Sequence, residues 1–77
     1  MLFRSHPRSG WGDLLLAEFE AVAGFTEDAE ANYRAAVDAL PAAVQPRLAL
    51  GRLYLDSNPG AAAEQFEKAG EIGRAHV

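Results

Sequence analysis

Ala29, Tyr33 and Ala36 return in the same order and at one constant offset as Ala62, Phe66 and Ala69. Leu16-Ala17 returns as Leu50-Gly51 at an offset greater by one. A pattern repeated in this way restricts the chain more than any single motif does. Each copy must be one supersecondary unit, and a unit this short cannot bury its apolar face alone. Within the second copy, Leu50 and Tyr54 lie four apart, on one face of a helix. Ala62, Phe66 and Ala69 lie four and three apart, so a second helix answers it across the Asp56-Ser57-Asn58-Pro59-Gly60 turn. Small residues on facing helices let two backbones approach closely, and the aromatic residues fill the space beside them. The small difference between the two offsets fits a shorter turn in the second hairpin.

Punctuation along the chain predicts four helices. His6 to Gly12 reads as a linker or helix start, because one proline and two glycines interrupt it. The first helix is expected from about Trp11 or Asp13 to Ala23, with Gly24 ending it in a left-handed conformation. Thr26 is expected to cap the second helix, with Glu27 and Asp28 at the positive end of its dipole, and Pro41 stops that helix after about Leu40. Pro46 suits the first turn of the third helix. Asn58-Pro59 reads as cap and first residue of the fourth helix, which is expected to reach about Gly70. No stretch alternates with period two. The expected fold class is all-α, two antiparallel helical hairpins.

The two ends do not belong to this pattern. With GTG as the start codon, GTG CTC TTC CGA TCT translates to Met1-Leu2-Phe3-Arg4-Ser5, and ATC GGA AGA GCA CAC GTC translates to Ile72-Gly73-Arg74-Ala75-His76-Val77. Both nucleotide runs match common sequencing adapters. The expectation is therefore a non-native or linker N-terminus at 1–10, one repeat at 11–41, a second at 42–71 and a non-native tail at 72–77.

The residues that carry the repeat also carry a likeness. Leu50-Gly51 and Tyr54 followed by Ala62, Phe66 and Ala69, with Gly24 at a turn and Pro41 at a close, resemble the tetratricopeptide repeat over about Trp11 to Glu71. Two positions depart from that pattern: Glu20 stands where the family has tyrosine, and Arg47 where a large residue is common. The resemblance implies an α-solenoid fragment that binds a protein, an extended peptide or a partner helix on the concave face made by the first helix of each repeat. It places Trp11, Leu14, Glu18, Ala21 and Val22 on that face from the first repeat, and Gln45, Leu48, Arg52, Leu55 and Asp56 from the second. Trp11 reads also as a hydrophobic plug at a helix start, and Leu14, Leu48 and Leu55 as packing in the core or between repeats. Glu18 and Arg52 read either as solvated charges or as a pair across the groove. Relatives that clamp a peptide's terminal carboxylate use lysine and asparagine at the positions of Leu14, Glu18, Leu48 and Arg52, so that ligand is disfavoured. Other roles within the same likeness are a regulatory or scaffold segment of a larger multidomain enzyme and a spacer that self-associates through open solenoid ends. The alanine- and leucine-rich style of the repeats suits a bacterial source.

Composition narrows the alternatives. Seven basic against eleven acidic residues give a net charge of −4, which opposes nucleic acid or an anionic membrane as partner. No apolar run approaches the ~20 residues of a membrane span. The absence of cysteine removes disulfides and thiolate metal sites and says nothing about the compartment. No catalytic constellation stands out. His6 and His76 lie at opposite ends, Ser5, Ser9 and Ser57 have no neighbouring base, and no glycine cluster follows a strand to cradle phosphate. Neither enzymatic activity nor a cofactor or metal is expected.

Overall fold

The structure, a computed structural model, describes residues 9–75. These form four helices, α1 (Gly10–Ala23), α2 (Thr26–Ala39), α3 (Val44–Tyr54) and α4 (Pro59–Ala75), with no strand among the described residues. The expected Met1–Ser5 segment, residues 6–8 of the His6–Gly12 linker, His76 and Val77 fall outside those residues.

Each boundary has a local cause. Ser9 accepts the Gly12 N–H at 3.2 Å and so caps α1, which therefore starts at Gly10 instead of Trp11 or Asp13. Gly24 ends α1 at φ +93°, in the left-handed region where glycine carries no Cβ penalty. The Gly24 N–H bonds the Ala21 carbonyl at 3.2 Å and the Phe25 N–H the Glu20 carbonyl at 2.8 Å, a Schellman closure. That closure overturns the expectation for Thr26. With Gly24 and Phe25 committed to ending α1, Phe25 is already the N-cap of α2. Its carbonyl accepts from Ala29, and Thr26 becomes the first helical residue with no side-chain cap bond. Pro41 follows the Leu40 C-cap as expected, and Pro46 lies buried in the first turn of α3. Asn58 Oδ1 accepts the Ala61 N–H at 3.2 Å and caps α4, which opens on Pro59. The fourth helix runs to Ala75, well beyond the expected end at Gly70. Neither Gly70 nor Gly73 takes positive φ, so the two glycines weaken the helix without breaking it.

Antiparallel pairs α1–α2 and α3–α4 make the most extensive contacts, and α2–α3 joins the two hairpins. Ala17, Ala29 and Ala36 have no exposed surface, and Leu14, Tyr33, Leu50 and Tyr54 fill the core around them. Small residues at the crossings bring the helices close enough for the larger ones to interlock. In the second hairpin Gly51 of α3 packs against the ring of Phe66 of α4. A Cβ at Gly51 would stand 2.7 Å from Phe66 Cε1, so the ring edge of Phe66 occupies the space that glycine leaves.

A hydrogen-bonded triad holds hairpin to hairpin. The Tyr54 hydroxyl of α3 donates to Glu30 Oε2 at 2.6 Å and accepts from Arg34 Nη2 at 2.7 Å, while Arg34 pairs with Glu30 at 3.1 Å within α2. The bond from Tyr54, followed by the bonds and charge of Arg34, outweighs desolvation and holds the Glu30 carboxyl below its ordinary value. A carboxylate lowered on folding adds stability above its unfolded pKa, and that contribution is lost as pH falls through the folded value. Tyr54→Phe is expected to cost about 1 kcal/mol near neutral pH, toward the low end for charged partners because the pair is partly solvated. The Tm difference from the parent should then shrink as pH drops below the carboxylate range. A gap that stays constant with pH would remove Glu30 from this account.

Candidate functional site

The two faces of the layer are not alike. Helices α1 and α3 touch one another, whereas α2 and α4 make no contact, so the layer closes on the first side and opens on the second. On the closed side Tyr33 of α2 is buried, with Glu18 of α1 and Arg52 of α3 near enough to act on its hydroxyl. Burial pushes that hydroxyl above the ordinary phenol range, the Glu18 carboxylate pushes it further, and Arg52 opposes both. Three helices thus converge on one point, flanked by an exposed acid and an exposed base.

The residues assigned by resemblance to a binding face divide into two groups. Glu18, Gln45, Arg52 and Asp56 are at least partly open to solvent, as are Val22, Leu55 and about half of Trp11. Leu48 and Ala21 are half-buried. Leu14, 8% exposed, lies in the core and so follows its packing reading instead of the binding one. It faces the hairpin interior, where apolar burial stabilises packing and leaves nothing for a partner to touch. Glu18 and Arg52 form no ion pair within 4.0 Å among the described residues, so both remain open to a ligand's charges or backbone.

Several features on the second side escaped the sequence reading. A cleft of about 290 Å³ separates α2 from α4 above a floor of Leu50 and Tyr54, with Arg34, Val37, Ala61 and Gln65 among its walls. Gln65 Oε1 is buried there without a hydrogen-bond partner. On α3, Arg47 is half-buried and its Nε is likewise unpartnered. In α1, Glu20 accepts from Asn32 Nδ2 of α2 at 2.7 Å and ties the first hairpin together. The exposed Leu15, Leu16, Phe19 and Phe25 were also unassigned. The signal for the first three was in the repeat itself, because they align with Ala49, Leu50 and Leu53 of the second copy, which form or pack against its core.

Among the described residues no group of three or more His, Asp or Glu is placed to hold a metal ion, and no helix is long and apolar enough to cross a membrane. No protein-family model matches the chain, and no curated protein or solved structure matches it either.

Proposed function

We propose that this chain is a two-repeat piece of a tetratricopeptide-type solenoid, a protein-interaction module that takes a peptide or a partner helix on the α1–α3 side. The observation that supports this reading is the asymmetric approach of the helices: α1 meets α3 while α2 and α4 stand apart. Repeated units that close on one side curve the layer toward that side and create an extended concave surface. Glu18 and Arg52 give this surface both signs of charge beside a buried aromatic, a combination suited to the donors and acceptors of a peptide backbone. Trp11, Leu48 and Leu55 add apolar area along it.

Selection of short peptides on the intact chain, followed by titration of the winners, tests the assignment. Arg52→Glu and Leu48→Ser should each weaken binding about tenfold, a loss of roughly 1.4 kcal/mol. Leu15→Ser, on the outer face of α1, should leave these peptides unaffected. Selected peptides that bind equally well to the Arg52 and Leu48 variants would place the interaction elsewhere.

A further inference from the structure

The internal repeat specifies what the outer face of α1 lacks. Leu15, Leu16, Phe19 and Glu20 correspond in the second copy to Ala49, Leu50, Leu53 and Tyr54. In α3 those positions belong to or pack against the core, and Tyr54 reaches across to α2. In α1 the corresponding Leu15 and Phe19 are 68% and 67% exposed, although they are larger than Ala49 at 4% and at least as large as Leu53. Trp11, Leu15, Phe19 and Val22, spaced four, four and three apart, form one exposed stripe, about 16 Å long at helical rise. Large apolar groups in a continuous row mark an interaction surface, not scattered surface residues. The outer end of the second hairpin differs, since no exposed large apolar residue lies on α4 among the described residues.

We propose that this outer face of α1 receives a basic amphipathic helix of a partner protein, packed against α1 as α2 packs against α3. Charge selects this occupant. Helix α1 exposes Glu18, holds Glu20 half-buried and has no basic residue, and α2 begins with the exposed Glu27 and Asp28. At the corresponding contact inside the chain, Tyr54 donates to Glu30 and accepts from Arg34. Glu20 already accepts from Asn32 through Oε1, and its other oxygen can only accept, so a lysine or arginine on the covering helix supplies a matching donor and the opposite charge. A second copy of this chain offers the wrong chemistry. The counterparts of Glu30 and Arg34 in its second repeat are Ala63 and Glu67, which would set a carboxylate toward Glu20. Packing α1 on α1 of a second copy would bring the Glu18 carboxylates of both, which border the stripe three residues from Leu15 and four from Val22, to the same seam.

This surface is distinct from the proposed concave groove, although Trp11 and Val22 border both. The test uses the intact chain and two synthetic peptides of roughly five helical turns. One has leucines on one face and lysines elsewhere, and the other has glutamate in place of every lysine. Trp11 is the sole tryptophan and lies in the stripe, so its emission reports occupancy. The lysine peptide should give a saturable blue shift and the glutamate peptide none. Leu15→Ser with Phe19→Ser should weaken lysine-peptide binding about tenfold or more. Both positions are exposed, so an unchanged helical circular dichroism signal should accompany that loss. Arg52→Glu should not weaken the lysine peptide, which separates this surface from the groove. Three results would overturn the proposal: no shift with the lysine peptide, equal shifts with both peptides, or undiminished binding to the serine double variant. Sedimentation showing a dimer that the same double variant abolishes would overturn it in favour of a second copy.

Discussion

Tyr33→Ala is expected to lower the melting temperature more than any other single change considered. Tyr33 is 5% exposed, projects from α2 into the core, and belongs to the same buried cluster as Ala17, Ala29 and Leu14 of the first hairpin. Removing a buried aromatic ring loses its transfer energy and leaves a cavity, which together cost about 3 kcal/mol or more. In a domain of this size each kcal/mol moves Tm by roughly 4–8 °C, so a fall of at least ~12 °C is expected. Tyr33→Phe isolates the ring from its hydroxyl. Burial already strips water from the hydroxyl, and its loss should change stability by less than ~0.5 kcal/mol. Near-equal effects of the two substitutions in thermal melts would show that the hydroxyl, not the ring, is what the core requires.

Gly51→Leu is expected to destabilise by ~1–3 kcal/mol through overpacking. Even a methyl group would stand 2.7 Å from Phe66 Cε1 and 3.0 Å from Cδ1 and Cζ. Leucine adds further carbons in the same direction, and Phe66 is half-buried, so the ring must leave its place on α3. A compensating pair distinguishes the clash from a backbone effect. Gly51→Ala combined with Phe66→Leu removes the ring edge and gains up to ~1 kcal/mol of helix propensity at position 51. That double variant should melt at or near the parent temperature while Gly51→Leu melts well below it. If the Gly51→Leu chain keeps the parent Tm, Phe66 does not fix the approach of α3 to α4.

Where the sequence was legible, a local rule governed the outcome. Gly24, Pro41, Pro46 and Asn58-Pro59 act through steric limits and hydrogen bonds within a few residues, so their positions alone mark where α1 and α2 end and where α3 and α4 begin. The buried alanines were equally visible, because small residues recur at the same helical positions in both copies. Thr26 misled because a capping residue competes with what precedes it. The Schellman closure at Gly24 and Phe25 is specified by the last turn of α1, and it had already settled where α2 begins. The end of α4 was missed because glycine disfavours a helix by an amount that neighbouring turns can override. Leu14 and Leu15 show a further limit. Both are leucines on α1, yet one is buried and the other exposed, and only the rotation of that helix against its neighbours decides which. The candidate site was legible as a set of exposed positions, whereas the convergence of Glu18 and Arg52 on Tyr33 depends on how three helices meet.

The connections between the helices also set the tempo of assembly. Each hairpin closes through a turn of a few residues, and apart from α1 meeting α3 the contacting helices are sequence neighbours. Local pairings of this kind lose little loop entropy and form quickly. The Tyr54–Glu30–Arg34 junction can form only after both hairpins present their faces, so its contacts belong late on the folding route. Hydrogen exchange should therefore detect a partial opening in which α1–α2 and α3–α4 separate as intact pairs, at a lower free energy than global unfolding.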